Sequence, residues 1–191
     1  MRTVTYYVAA TLDADGAVVE RRRLSTPAGE GDRLLETLAE IVEGLGGGLP
    51  VGVGIAAIVD PAGVVRYGPN IGVRDLPLAE LLRDRLDVPV VVKNDATAAT
   101  YGEFRVGAAA DADEMLMLTL GTGVGGGIVL GGRVLEGHGG FAGELGHIIV
   151  HEGGRPCPCG NRGCLEAYAS GTAIGLTARE RLVDREITST L

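Results

Sequence analysis

The stretch HGGFAGELGHIIVHEGGRPCPCGNRGCLE spans residues 138–166 and decides how the chain is read. It holds every cysteine (Cys157, Cys159, Cys164) and every histidine (His138, His147, His151), with two glutamates, Glu144 and Glu166, beside them. Three thiolates spaced Cys157-x-Cys159-x4-Cys164 can take three corners of a tetrahedral zinc site. The fourth ligand is then His147 or His151. Four protein ligands leave no open position, so such a zinc is structural. Gly160 and Gly163 permit the tight knuckle between ligands. Glu144 and Glu166 each read, alone, as a solvated surface charge. Beside a metal that fixes the His147 ring, they become groups able to hold vicinal hydroxyls.

Moving outward from this stretch, Met115-Leu116-Met117-Leu118-Thr119-Leu120 and Gly127–Leu130 predict a hairpin around Gly121-Thr122-Gly123-Val124-Gly125-Gly126. Glycines let backbone N–H groups approach an anion, and Thr122 adds a hydroxyl. The loop lacks the Gly-Lys-Ser/Thr of a Walker A motif, and a strand follows it where a dinucleotide fingerprint needs a helix. An ordinary glycine-rich hairpin is the plain alternative. Further upstream, Lys93-Asn94-Asp95 lies between an apolar strand, 88–92, and a helix, 96–104. In open α/β sheets ligands bind at that end of a strand. Asp95 reads either as a helix N-cap or as a general base, kept ionised by the helix N-terminus.

The remaining pattern is mixed α/β. Residues 3–12 and 17–24 predict a hairpin, and 31–45 a helix closed by Gly46-Gly47-Gly48. Residues 51–59 predict a buried strand, 64–66 a short strand, and 76–86 a helix with Pro77 in its first turn. Residues 105–114 form a hinge, and 165–182 return to helix. At 46% hydrophobic residues the chain can bury a core. A net charge of −8 argues against a sequence-independent nucleic-acid surface, and Arg21-Arg22-Arg23 reads as a solvated strand end. No apolar run is long enough to span a bilayer and no leader pattern opens the chain, so the expected location is cytoplasmic. Three cysteines packed this closely in a reducing compartment read as metal ligands rather than disulfides.

Together these residues resemble the ROK family of bacterial glucokinases, related sugar kinases and sugar-responsive repressors. The most specific motifs are Glu144-x-Gly146-His147 and Cys157-x-Cys159-Gly160-x-x-Gly163-Cys164-x-Glu166, in that order. The resemblance implies an α/β, two-lobed, actin-like (ribonuclease H-like) ATPase fold. Residues 1–108 would form the N-terminal lobe and 109–191 an incomplete second lobe. It implies Asp95 as the catalytic base on a hexose 6-hydroxyl, and Asn70, Asn94, Asp95, Glu144, His147 and Glu166 as sugar contacts. It implies Thr122, Gly123 and Gly125 in the phosphate loop, and His147, Cys157, Cys159 and Cys164 as ligands of a structural Zn2+. ATP and Mg2+ are the expected cofactors, a hexose (glucose foremost) the substrate, and a homodimer the assembly. No nucleic-acid or membrane partner is expected.

Several positions depart from the family pattern. Met1-Arg2-Thr3-Val4 precede Thr5 where family kinases carry Asp-x-Gly-Gly, and Ala56-Ala57-Ile58 replace a usual Pro-Gly-Pro. Family members continue well past the cysteine motif, whereas this chain stops at Leu191. The expectation is therefore a hexose kinase truncated at both ends. A non-catalytic sugar-binding protein comes second. A repressor ranks last, since it would carry a helix-turn-helix ahead of the first strand.

Overall fold

The computed structural model describes residues 6–25, 33–69 and 71–183. They fall into two compact units. One comprises the chain up to Asp95 with His138–Gly140, and the other comprises Ala96–Gly137 with Phe141 onward.

In the first unit, Tyr6–Leu12 (β1) and Val18–Ser25 (β2) form an antiparallel hairpin. Asp13 closes its turn by accepting the N–H groups of Asp15 and Ala17 on one carboxylate oxygen, at 3.0 and 2.9 Å. Leu34–Glu43 (α1) buries Leu34, Leu38 and Ile41, the helical spacing seen in the sequence. The helix ends one turn before the glycine run. The Gly44 N–H still bonds Glu40, and Gly46, Gly47 and Gly48 then follow with positive φ.

The single strand expected over 51–59 is two strands. Val51–Ile55 (β3) ends in a tight turn, where the Ala57 N–H bonds the Ile55 carbonyl at 2.8 Å, and Ile58–Val59 (β4) enters a different sheet. β4 pairs with Val65–Gly68 (β5), which pairs with Val73–Leu76 (β6), a strand that the sequence reading omits. Gly63, in the turn between β4 and β5, has φ +84°, and a Cβ there would stand 2.5 Å from that of Ala79. Leu78–Leu86 (α2) follows, with Pro77 as its N-cap rather than inside its first turn.

Val90–Asn94 (β7) lies parallel to β3, with Ile55 opposite Asn94. Among the described residues β7 pairs with β3 alone, and one face carries the burial. Val90 and Val92 are 4% and 1% exposed, whereas Val91 is 57% exposed. Val90 and Val92 join Leu34, Leu78 and Leu82 in one apolar core. This core fixes the carboxyl end of β7.

Asp95–Val106 (α3) starts directly after β7. In the second unit, Met115–Leu120 (β8), Val124–Leu130 (β9) and Arg133–Val134 (β10) form an antiparallel sheet with β9 in the middle. Gly125, Gly126 and Gly127 lie inside β9, not in the preceding turn. A Cβ at Gly125 would stand 2.9 Å from the Ala96 methyl, and one at Gly127 would strike the Thr100 side chain, both on α3. On the opposite face a Cβ at Gly126 would stand 2.7 Å from Leu145. The strand is glycine-rich because neighbours lie against its backbone on both faces. The helix expected over 165–182 is broken into Glu166–Ala169 (α4) and Gly171–Val183 (α5). Ser170 between them is extended (ψ 155°), and its hydroxyl accepts the Ala173 N–H at 3.1 Å, capping α5.

Candidate functional site

The first unit presents Asn94 and Asp95 at the junction of β7 and α3. The Asn94 side-chain amide donates to the Ala57 carbonyl at 3.2 Å, so the turn that splits β3 from β4 also anchors Asn94. Asp95 is exposed in the first turn of α3. Asn70 lies outside the described residues.

The second unit builds the cysteine knuckle from turns rather than regular elements. Ile149 bridges Cys164, and Pro156 bridges Arg162. The Val150 and His151 N–H groups both donate to the Gly163 carbonyl, and the Cys157 N–H donates to that of Asn161. Gly163 has φ +84°, and a Cβ there would overlap the His151 carbonyl, so this position admits only glycine. A 3-10 turn, Leu145–His147, delivers the imidazole.

His147, Cys157, Cys159 and Cys164 each offer one ligand atom, all within 4.8 Å of one another. The Cys159 and Cys164 sulfurs are 3.7 Å apart, and the Cys157 sulfur is 3.6 Å from His147 Nδ1. A tetrahedral zinc with bonds of about 2.3 Å to sulfur and about 2.0 Å to nitrogen calls for separations of about 3.8 and 3.5 Å. His151 is not in this group; its Nδ1 lies 3.4 Å from the Tyr168 hydroxyl. On the far side of the His147 ring, Nε2 is 3.8 Å from a Glu144 oxygen. At that distance the pair is a loose electrostatic contact and not a hydrogen bond, so the ring's orientation rests on the 3-10 turn and the sulfur cluster.

Burial pushes Cys157 up to about 12 and also raises Cys164. Burial acts upward on Cys159 as well, but the Asn161 N–H and the two neighbouring thiols hydrogen-bond its sulfur and bring it below the ordinary thiol value. Three clustered thiolates need a positive charge among them, which a divalent cation supplies. The donor set and its spacing fit zinc.

Glu166 reaches two features at once. Its Oε2 accepts the Val124 N–H at 2.9 Å, and its Oε1 is 3.9 Å from the Cys157 sulfur. The loop it touches is short, because Leu120 pairs directly with Val124 and leaves Gly121-Thr122-Gly123 as the turn. The Thr172 hydroxyl donates to the Thr122 carbonyl at 2.9 Å, and the Gly171 N–H to that of Gly121 at 2.8 Å. Gly125 sits beyond this turn, opposite Thr119.

Sequence reasoning does not single out Gly171 and Thr172, since nothing local distinguishes them from other helix-start residues. Nor does it single out Tyr168, whose hydroxyl accepts the Arg155 N–H at 2.8 Å. The Arg155 side chain in turn bonds Thr177 and Glu180 of α5, both at 2.8 Å.

A profile of the ROK family matches residues 3–189, nearly the whole chain. The chain belongs to the ROK family. A glucokinase of Halalkalibacterium halodurans is 39% identical over 188 residues, covering 93% of this chain and 57% of its own length. An N-acetylmannosamine kinase of Escherichia fergusonii is 37% identical over 182 residues, covering 93% of this chain and 62% of its own. Among solved structures, a ROK family glucokinase from Streptomyces griseus, in complex with glucose and AMPPNP, superposes with a TM-score of 0.83 at 38% identity. That match covers 95% of this chain and 59% of the other. The ROK chain described here thus spans about three-fifths of the length of these relatives. Its fold is the α/β, actin-like fold of the ROK sugar kinases. Among the described residues no helix is long and apolar enough to cross a membrane.

Proposed function

We propose that this chain carries the sugar-binding and metal-binding part of an ATP-dependent ROK hexose kinase, with glucose as the sugar. The observation that carries the reading is the joining of the cluster of His147 with Cys157, Cys159 and Cys164, through Glu166, to the glycine turn. Glu166 thereby links a candidate sugar wall to a candidate phosphate loop 42 residues earlier in the chain. Asn94, Glu144, His147 and Glu166 are assigned to the sugar hydroxyls, together with Asn70. Asp95 takes the proton of the 6-hydroxyl as the hydroxyl oxygen bonds the γ-phosphorus of ATP, and the bond from that phosphorus to the β,γ-bridging oxygen breaks to release ADP. Phosphoryl transfer is mostly positioning and charge stabilisation, so a correctly held carboxylate is the main chemical group the protein must add. Thr122, Gly123 and Gly125 are assigned to the phosphates.

His147, Cys157, Cys159 and Cys164 would hold Zn2+, which supplies a structural clamp and leaves no ligand position for substrate. Mg2+ would arrive on the phosphates of ATP, as is usual for that ion. The assembly we assign is a homodimer.

Support for glucose comes from the glucokinase relatives, and the N-acetylmannosamine kinase supplies the competing sugar. Calorimetry tests the reading. Glucose should bind more tightly than N-acetylmannosamine, and AMPPNP should bind in its presence. Sugar binding with no detectable nucleotide binding would replace the kinase by a non-catalytic sugar-binding protein. Tighter N-acetylmannosamine binding would reassign the substrate.

A further inference from the structure

The Gly121-Thr122-Gly123 turn has one internal hydrogen bond, Gly121 N–H to the Gly123 carbonyl at 3.0 Å. Its other anchors come from residues just after the last cysteine. The Gly171 N–H holds the Gly121 carbonyl, the Thr172 hydroxyl holds the Thr122 carbonyl, and Glu166 holds the Val124 N–H. The fit is close on both sides. A Cβ at Gly123 would stand 2.5 Å from Glu166 Oε2, and one at Gly171 would stand 3.0 Å from the Gly121 carbonyl.

The direction of these bonds has a consequence. In a trans peptide the C=O and the following N–H point opposite ways. With the Gly121 and Thr122 carbonyls both drawn to the start of α5, the N–H groups of Thr122 and Gly123 are both turned away from it. Two successive N–H groups facing one side make an anion-binding concavity. Glu166 also stands two residues after Cys164, with its second oxygen near the Cys157 sulfur.

We propose that Thr172 and Glu166 are positioning residues that latch the glycine turn to the cysteine knuckle, so that metal occupancy of the knuckle orders the phosphate-binding amides. The phosphate in this statement rests on the kinase reading; the latch does not. Hydrogen exchange on the zinc-loaded chain without nucleotide tests the latch. Thr172→Val should speed exchange at the hydrogen-bonded amides of the latch, those of Gly121, Val124 and Gly171, roughly two- to tenfold, the range that loss of one hydrogen bond predicts. Thr172→Ser should restore it. Zinc chelation should speed the same amides in the wild type and do so less in Glu166→Ala, because the route from metal to turn is already cut. Unchanged exchange in Thr172→Val, or equal chelation effects with and without Glu166, would overturn the latch.

AMPPNP and glucose affinities then separate this proposal from the kinase reading. Thr172→Val should weaken AMPPNP by the same factor as the exchange change and leave glucose unaltered. If exchange responds as expected but AMPPNP does not bind the wild type, the latch stands and the phosphate assignment falls. If AMPPNP binds and exchange ignores Thr172, the latch falls and the kinase reading stands.

Discussion

The corner carrying Asp95 rests on an apolar core, whereas the segment carrying His147 and Glu166 has almost none. Around β7, Leu78 and Leu82 are fully buried with Val90 and Val92 beside them. Within residues 138–166 the buried apolar side chains are Leu145, Cys157 and Cys164. The first region positions its functional residues by packing, which is dense and hard to deform. The second relies on turn hydrogen bonds, obligatory glycines and, in the proposed function, a metal. The contrast teaches that one chain can present polar groups by two mechanisms with different weaknesses. Core truncation should damage the first region, and chelation the second.

The largest expected effect is chemical. In the full-length kinase proposed above, Asp95→Asn should lower kcat about 10²- to 10⁴-fold, the usual range for losing a general base, with sugar affinity retained in calorimetry. Unchanged turnover would remove Asp95 from the role of base and leave it as a cap.

Next comes the metal. About one zinc per chain should be found in purified protein, and none after Cys159→Ser, since structural zinc contributes folding free energy outright. Chelation should abolish exchange protection over 148–166 while sparing β3 and β7. Equal loss in both regions would erase the distinction between packing and ligation. The reciprocal experiment is Leu82→Ala, expected to destabilise the first unit by about 2–5 kcal/mol with zinc content unchanged.

The smallest effect concerns pH. Burial works to raise the Asp60 carboxyl, but the Val64 N–H, the Arg66 guanidinium and the Ala62 N–H outweigh it and hold the value below the ordinary carboxylate range. A carboxyl depressed on folding adds stability that is present above its unfolded value, near about 4, and lost as pH falls through the folded value. Asp60→Asn should therefore cost the first unit about 1–3 kcal/mol at neutral pH and flatten its acid sensitivity below about pH 4. Denaturant melts at several pH values would read this. An equally steep acid limb in the variant would assign the sensitivity to other groups.

Legibility in the sequence varies with the range of the forces involved. The hairpins, α1, α2 and the position of Asp95 at a strand–helix junction follow from period and turn chemistry, which are local. The break at Ser170 is hidden because a capping serine inside a helical pattern looks like any polar helix residue until its hydroxyl is seen on Ala173. The split of 51–59 is hidden because an apolar run does not reveal that its two ends pair with different partners, β7 and β5. Gly125 reads in sequence as part of an anion loop, and its glycine character is accounted for by the Ala96 methyl and the Thr119 hydroxyl against its backbone.

The sequence alone determined the donor set of the knuckle and the family to which the chain belongs, because ligand chemistry and ordered motifs are written in residue types and short spacings. Ligand spacing alone left His147 and His151 both open, and the family resemblance implied His147. Only the tertiary structure decided that His147 stands among the three sulfurs and that Glu166 and Thr172 grip the glycine turn. Those facts depend on which backbone groups meet across 42 and 50 residues of chain. Such meetings are fixed by the packing of strands, turns and helices, which no local pattern encodes.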